Sequence, residues 1–292
     1  MTPGTDGGGL ADAQGMANAQ GIANARMYSV SPKVAGLWRD LLSAIVAHAG
    51  VSATVIDYPA PAPLADLWSR TDKAAVFMCG LPFSRAEPQP VLMAAPVPSP
   101  PEFSGQPQYW SDFVVRADSD FRTLDDTYGG RIAFTVPDSQ SGCIAALSHF
   151  MSVGPRDQPL FEEVIAPTVT PLANLTAVLD GAADVAPIDA YALRLLRAYR
   201  PDLTDQIRVV GATASTPIPP LVASRSSPTL RAAFLEAHRI DSIKILMDPL
   251  LLQRFDGPDA DSYQVLKQRF AAAGDYWRRH PLAATIHPAF QA

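Results

Sequence analysis

Two serines and a glycine, in the segment DSQSG at residues 138–142, are the residues whose types and spacing most clearly suggest chemistry. They follow the strand-forming run RIAFTV and precede an alanine-rich segment with helical character. A strand that turns at once into a helix leaves backbone N–H groups unpaired at the positive end of the helix dipole. Serine hydroxyls donate to oxyanions, and glycine lets the backbone approach closely. The pattern predicts an anion site at Ser139, Gln140, Ser141 and Gly142.

The same side chains have a simpler alternative role as helix caps. Ser139 or Ser141 could cap the helix that follows and have no further role, because serine is among the preferred N-cap residues. Asp189 directly precedes the helical segment AYALRLLRAYR and is in the same position to cap it. Spacing does not choose between a cap and a ligand contact, and one side chain can do both.

The sequence shows no recognisable arrangement for catalysis or metal binding. The five histidines form no pattern with Cys79 or Cys143 that would activate a thiol nucleophile. DSQSG lacks the leading glycine of the hydrolase motif G-x-S-x-G. There is no H-E-x-x-H, no paired C-x-x-C and no Asp-rich calcium loop. We therefore expect a protein that is not an enzyme and that uses no cofactor and no metal.

Length, charge and hydropathy exclude several classes of protein. A chain of 292 residues, 48% hydrophobic, can bury a large core and suggests about two domains. The formal charge of −6, without clustered Lys or Arg, argues against nucleic acid as a partner. No apolar run approaches the ~20 residues of a membrane-spanning helix. No secretory signal is visible, since there is no Lys or Arg before Arg26 and no early apolar core.

Helices and strands alternate along most of the chain. Ser31 and Pro32 predict the capped start of an amphipathic helix that ends at Gly50 and buries Trp38. Ser227 and Pro228 predict a second capped helix. Such alternation favours parallel sheets, with ligand loops at the carboxyl ends of the strands. The predicted strands are SATVIDY, AAVFMCG, SDFVVRADS, RIAFTV, ADVAPID, IRVVGAT and PPLVAS.

The order of the elements suggests two α/β lobes joined by two crossings, one near Phe113 and one near Leu221. We expect residues 1–19, rich in Gly, Ala, Asn and Gln, to form a disordered tail. Residues 20–111 and 218–292 would form the first lobe, and residues 112–217 the second.

Five separated blocks carry a resemblance to a known family: IANARMY, MCGLPF, YWSDFVVRAD, LDDTYGGRIAFTVPDSQSG and LDGAADVAPIDAYA. Between about Ile22 and Arg225 the chain resembles the phosphonate- and phosphate-type substrate-binding proteins of ABC transporters. The resemblance implies the type II periplasmic-binding-protein fold. In this α/β fold each of two lobes is a mostly parallel sheet flanked by helices, and the ligand lies in the cleft between them.

The resemblance also implies ligand-binding residues. The S-x-S-G loop of the family holds a tetrahedral phosphonate or phosphate, and Asp189 lies where relatives can meet a ligand amine. Residues facing that loop would be Tyr28, Tyr58, Gly80, Leu81, Pro82, Phe83 and Tyr109. Many relatives have a histidine donor in a pattern like G-S-H-x-x-S, but here the segment is TPLAN, with Pro171 near the histidine's place and Asn174 near the second serine's. The change makes a neutral, zwitterionic or sulfonate-like ligand a further alternative.

The function implied by the resemblance is that of a solute-binding protein. It would close on a small anion-bearing molecule such as a phosphonate or phosphate and deliver it to an ABC permease, as a periplasmic monomer that neither binds nucleic acid nor inserts into a membrane. Two alternatives remain open from the sequence. One is an enzyme on the same fold, of the cofactor-precursor synthase type, and the other is a cytoplasmic ligand sensor.

Overall fold

A computed structural model describes residues 21–153 and 158–286. The disordered tail expected at residues 1–19 lies outside the described residues. Within the described part of the chain, no helix combines the length and the apolar character needed to cross a bilayer.

Strands and helices alternate through the described residues, as the sequence pattern predicts. The strands are β1 Gly21–Asn24, β2 Ala53–Val55, β3 Lys73–Phe77, β4 Val91–Pro98, β5 Gln108–Tyr109, β6 Ser111–Arg116, β7 Arg131–Ala133, β8 Phe161–Ile165, β9 Ala186–Asp189, β10 Ile207–Ala212, β11 Thr216–Pro217, β12 Leu221–Ala223, β13 Leu252–Asp256 and β14 Ala283–Ile286. The α-helices are α1 Pro32–Ala49, α2 Leu64–Ser69, α3 Gly80–Arg85, α4 Ala145–Met151, α5 Pro171–Leu179, α6 Ala190–Tyr199, α7 Pro201–Thr204, α8 Pro228–Glu236, α9 Asp241–Met247 and α10 Gln264–Trp277. A π-helical turn at Gln140–Ile144 leads into α4, and short 3₁₀ turns lie at Arg26–Tyr28, Pro101–Phe103, Asp125–Thr127, Ala237–Arg239, Asp248–Leu250 and Ala260–Tyr263.

Two groups of strands define two lobes. The first lobe has a six-stranded sheet in the order β13-β4-β12-β3-β1-β2. The second lobe has two three-stranded sheets, β10-β6-β9 and β14-β8-β7, which an isolated parallel bridge between Ile132 and Val185 joins edge to edge. The α/β class and the two-lobed periplasmic-binding-protein fold are confirmed.

The prediction that each lobe is a mostly parallel sheet is wrong, because the sheets are mixed: the first-lobe sheet has two parallel and three antiparallel pairs. β1 pairs in parallel with β2 and β3, and β8 pairs in parallel with β7 and β14. The strands that enter or leave a crossing are antiparallel: β12 against β3 and β4, and β6 against β9 and β10. The chain enters β6 and β12 at the crossings, directly from the other lobe and not through a helix of the same lobe. No right-handed βαβ unit therefore sets the direction of these two strands.

Helix α1 shows why the predicted elements form where they do. Ser31 caps it by accepting from Val34 N at 3.3 Å, Pro32 occupies the first turn, and Gly50 ends it in the left-handed conformation at φ 63°. Its apolar stripe is buried, and the Trp38 ring packs edge-on against Phe77 of β3 at 5.1 Å. The stripe fixes the helix against the first-lobe sheet, with its N-terminus directed at the second lobe.

The lobes are linked by a short antiparallel pair, β5 with β11, and by a segment that we call the C-terminal arm, residues 264–286. The arm begins beside the crossing, where the Tyr263 hydroxyl donates to Ile218 O at 2.7 Å. Helix α10 then packs against α3 of the first lobe and α4 of the second, and β14 pairs with β8. The final strand therefore lies with the second lobe, while the lobe boundaries at 111/112 and 217/218 remain a prediction.

Candidate ligand-binding site

A cavity of about 620 Å³ lies between the lobes. Its first-lobe wall comes from residues 24–42, from residues 55–68 and from Cys79 at the end of β3. Its second-lobe wall comes from residues 135–142 and 169–172 and from Pro187 and Asp189. The cavity therefore lies at the carboxyl ends of β1, β3, β7 and β9, where ligands bind in open α/β sheets.

Four helix starts line the cavity, each through its N-cap residue. Ser31 caps α1 and Ser139 caps the turn that continues into α4, while Thr170 caps α5 and Asp189 caps α6. The cap oxygens accept from the backbone N–H three residues on, at 3.3, 3.0, 3.0 and 2.9 Å respectively. The positive ends of three helix dipoles, capped by neutral hydroxyl groups, thus meet at one cavity and favour a negatively charged occupant, whereas the fourth already faces the Asp189 carboxyl.

The capping bonds leave the three hydroxyl groups free to donate. A hydroxyl oxygen that accepts a cap bond still carries its own hydrogen. Among the described residues, the hydroxyls of Ser31, Ser139 and Thr170 accept these cap bonds and donate to no other group. Capping and ligand contact, left open by the sequence as alternatives for Ser139 and Asp189, are compatible here.

In the serine turn, residues 138–142, several polar groups already form hydrogen bonds within the protein. Gln140 N–H donates to Cys79 Sγ at 3.4 Å, and Gly142 N–H donates to Ser139 Oγ at 3.0 Å. The Ser111 hydroxyl donates to Ser141 O at 2.7 Å and holds the turn against β6. Two amide donors expected for an anion are therefore used within the protein. The hydroxyls of Ser139 and Ser141 become the main donors of this loop.

Several buried polar atoms around the cavity lack a hydrogen bond of normal geometry among the described residues. They are Trp38 Nε1, the Tyr109 hydroxyl, Thr135 Oγ1 and the Gln140 side-chain amide. Trp38 and Thr135 line the cavity, and Tyr109 lies beside the Ser141 side chain. Buried donors without partners are rare and commonly mark a place for a ligand or an ordered water.

The Asp189 carboxyl is the acidic group buried deepest in the cavity wall, at 5% exposure. Burial raises its pKa from 3.8 to about 7, although N–H donation from Ala192 and Tyr191 opposes the shift. The Tyr28 hydroxyl of the first lobe lies 3.5 Å from Asp189 Oδ2. Asp189 can therefore hold or release a proton near neutral pH, and it lies where the two lobes touch.

Cations line the first-lobe wall. Arg26 lies over the Tyr58 ring, with its guanidinium carbon 5.4 Å from the ring centroid, and donates to Ala62 O. Burial lowers the pKa of Arg26 from 12.5, and the group remains charged at neutral pH. Arg39 forms an exposed ion pair with Asp57 at the cavity rim. Arg26 is the better placed of the two to face an anionic ligand.

The structure brings some of the sequence-predicted residues to the cavity and leaves others outside it. Those that line it are Tyr58, Ser139, Ser141, Gly142 and Asp189. Those behind its walls are Tyr28, Gly80, Leu81, Pro82, Phe83, Tyr109, Gln140 and Asn174. Asn174 accepts from Thr168 Oγ1 at 2.5 Å and donates to Pro187 O at 2.9 Å, so it braces the second lobe. The residues behind the walls stay predictions as ligand contacts.

Sequence reasoning missed four lining residues that matter for the chemistry: Arg26, Thr135, Thr170 and Trp68. Thr170 carried a usable signal, because Thr170–Pro171 repeats the cap-plus-proline pattern of Ser31–Pro32. Its hydroxyl stands one residue before the place of the missing histidine. Arg26 lies in the block IANARMY but has no spacing that would mark it as a ligand residue.

The two cysteines are buried, and we expect their thiols to be unreactive. Burial raises the pKa of Cys79 to about 12 and shifts the pKa of Cys143 still further in the same direction. The thiolate is the nucleophilic form of cysteine. Among the described residues, no group of three His, Cys, Asp or Glu side chains could hold a metal ion.

These thiols supply a test that separates a binding site from a reactive one. At pH 8, we expect iodoacetamide to leave both cysteines of the folded protein unmodified, because the thiolate fraction of Cys79 is about a thousandfold below that of an ordinary thiol. Mass spectrometry after timed alkylation measures this. The same protein unfolded in urea is the control and should react at both positions. Rapid alkylation of folded protein at Cys79 would contradict the burial and point to chemistry in the cavity.

A protein-family model matches a large part of this chain. The family model described as ABC transporter, phosphonate, periplasmic substrate-binding protein matches residues 75–263, well over half of the chain. The matched part contains the end of β3, both crossings and the serine turn. No curated protein matches the chain significantly.

Solved structures share the fold at low sequence identity. A binding protein component of an ABC phosphonate transporter from Pseudomonas aeruginosa is 18% identical, with a TM-score of 0.72 and 87% of each chain covered. PhnD1 from Prochlorococcus marinus in complex with methylphosphonate is 16% identical, with a TM-score of 0.71, 87% of this chain and 98% of the other covered. XAC2383 from Xanthomonas citri bound to ATP is 18% identical, with a TM-score of 0.58, 90% of this chain and 98% of the other covered. The overall architecture is thus common to proteins with ligands of different size.

Proposed function

The chain belongs to the family of periplasmic substrate-binding proteins of phosphonate ABC transporters, and from that premise we propose that it closes on a small molecule with a tetrahedral anionic group and delivers it to an ABC importer. Members of this family bind small ligands and work with permeases. A phosphonate or phosphate group is the ligand chemistry we propose for this chain, and the periplasm the compartment.

The observation that carries the proposal is the convergence of three hydroxyl-capped helix N-termini on the cavity between the lobes. Ser31 approaches from the first lobe, while Ser139 and Thr170 approach from the second. An anion bound there would receive hydroxyl hydrogen bonds from both lobes. It would stabilise the closed form, because only that form completes the set of donors.

We propose that the protein acts by binding alone, without catalysis. The buried thiols have raised pKa values, which supports this view. The closed shape would then be the signal that a permease recognises. A cytoplasmic sensor or an enzyme on the same fold has no specific feature of the site in its favour.

A binding experiment with matched serine variants tests the proposal. Methylphosphonate, phosphate, phosphite and sulfate are each titrated calorimetrically, together with amino acids, whose anionic group is a planar carboxylate rather than a tetrahedral anion, and the melting temperature is followed in parallel. We expect a tetrahedral anion to bind and to raise the melting temperature, since a ligand specific for the folded state adds ~2.7 kcal/mol of stability at a hundredfold excess over its Kd. Ser141→Ala should weaken binding roughly tenfold to a hundredfold, because a hydrogen bond to a charged group is worth about 1.5–3 kcal/mol.

Ser148→Ala is the matched control. Ser148 lies on α4, which continues from the same turn, but is not among the residues that line the cavity. Its replacement should leave the Kd unchanged. The proposal is wrong if no tetrahedral anion binds, or if Ser141→Ala and Ser148→Ala bind it equally well.

A further inference from the structure

We infer that the ligand carries an apolar body, alkyl or aromatic, that packs against the apolar part of the first-lobe wall while its anionic group contacts the hydroxyls of the second lobe and of Ser31. The inference rests on the proposed function, because it assigns the part of the ligand that the anion site does not hold. Two observations support it: the volume of the cavity and the chemistry of its two walls.

The cavity is too large for a small tetrahedral anion alone. Its volume is about 620 Å³. A methylphosphonate ion, counted at ~30 Å³ for each non-hydrogen atom as in liquid water, would fill roughly 150 Å³. Ligand pockets generally enclose most of the surface of their ligand. A ligand that fills this cavity has several times the bulk of methylphosphonate.

The two walls differ in chemistry. The second-lobe wall presents the hydroxyls of Ser139, Ser141 and Thr170. The first-lobe wall is mainly apolar, and its largest partly exposed apolar side chains are Met27, Ile56, Leu64 and Trp68. A polar head directed at the second lobe therefore leaves the remainder of the ligand against hydrocarbon and indole surface.

The two tryptophans of this wall are not equivalent. Trp68 Nε1 donates to Phe77 O at 2.9 Å, so its polar atom is satisfied and its ring offers only apolar contact. Trp38 Nε1 is buried and has no partner in the described part of the chain. Trp38 also lines the cavity. Because Trp38 is only 1% exposed, Trp68 is the tryptophan that offers apolar surface to a ligand body.

A series of phosphonates of increasing chain length tests the inference. Methyl-, butyl-, hexyl- and phenylphosphonate are titrated calorimetrically into the full chain. We expect the Kd to fall about fourfold for each methylene added after the first, until the wall is covered, which corresponds to ~0.8 kcal/mol per methylene. Phenylphosphonate should bind more tightly than methylphosphonate.

A variant of the wall separates apolar contact from a general effect of ligand size. Leu64 is partly buried at the first turn of α2 and lines the cavity, whereas Leu37 of α1 is equally partly buried and is not among the lining residues. Leu64→Ala should weaken hexylphosphonate severalfold and leave methylphosphonate unchanged. Leu37→Ala should change neither Kd.

Each outcome bears on one of the two proposals. If methylphosphonate binds and the longer ligands bind no more tightly, the apolar body is wrong and the anion site stands. If Leu64→Ala weakens both ligands equally, the wall does not contact the ligand body and the inference also fails. If neither a phosphonate nor any other tetrahedral anion binds, both proposals fail, whereas binding of hexanol alone would retain the apolar wall and overturn the anion site.

Discussion

Gly142→Ala is expected to destabilise the fold by about 2–4 kcal/mol and to abolish ligand binding. A Cβ atom at this position would lie 2.0 Å from Thr135 Oγ1, 2.8 Å from Thr135 Cγ2 and 2.9 Å from Thr135 Cβ. Both residues belong to the wall that holds the serine turn, and Thr135 N donates to Gly142 O at 3.2 Å. Overpacking at such a contact costs typically 1–3 kcal/mol or more, because neither backbone can retreat. Urea denaturation and a ligand titration measure the two effects.

Gly36→Ala is the control for this glycine. Gly36 lies inside α1, and a Cβ there would meet nothing within 4 Å. Alanine in a helix interior is favoured over glycine by roughly 0.8–1.0 kcal/mol, so this variant should be slightly more stable than the wild type. Adding Thr135→Ala to Gly142→Ala removes Thr135 Oγ1 and Cγ2, the two atoms nearest the added Cβ, and should recover part of the stability. No recovery in the double variant would show that the clash lies elsewhere.

Asp189→Asn is expected to remove a large pH dependence of stability. The folded protein retains the Asp189 proton up to a pKa of about 7, whereas the ordinary value is 3.8. Between these values the folded state binds the proton and the unfolded state does not, so the free energy of unfolding falls as the pH rises from about 4 to about 7. The full effect is on the order of 4 kcal/mol. The stability of the Asn variant relative to the wild type should therefore rise by several kcal/mol across this range, in urea denaturation at fixed pH steps.

Asparagine suits this test because it preserves the helix cap. Its side-chain oxygen can still accept from Ala192 N, as Asp189 Oδ1 does at 2.9 Å, and it caps as well as aspartate. Tyr28→Phe provides a second check. Removal of the hydroxyl that lies 3.5 Å from Asp189 should raise the pKa further and move the transition to higher pH. A flat difference between wild type and Asp189→Asn would mean that the carboxyl is hydrated rather than buried.

Much of the site could be predicted from local sequence signals, because helix caps are local. Ser31 with Pro32 and Ser139 with Gly142 mark helix starts that the structure places at the cavity. Asp189 is the same kind of signal, since it precedes a helix and follows a buried strand. Each of these caps accepts a hydrogen bond from the backbone N–H three residues further along, so its geometry depends only on local sequence.

The remaining residues depend on contacts between distant parts of the chain. The Tyr28 ring is enclosed by Trp38 and Phe77 from its own lobe and by Tyr191 from the other, at 6.4, 5.2 and 4.8 Å. Nothing local distinguishes an aromatic ring in such a cluster from one that faces a ligand. Arg26 does line the cavity, but local sequence could not show this, because its position over the Tyr58 ring depends on a loop about thirty residues further along.

The C-terminal arm limits the kind of motion available to the two lobes. Its root is fixed at the crossing by the bond from Tyr263 to Ile218, and its end is held by the register of β14 on β8, with Ala283 opposite Phe161. Rotation about the crossing changes the distance between root and end little. A sliding displacement of one lobe past the other would instead have to break that register. We therefore expect the arm to resist a sliding displacement, which would break the register of β14 on β8, more strongly than a rotation about the crossing, so that the cleft closes by a hinge movement.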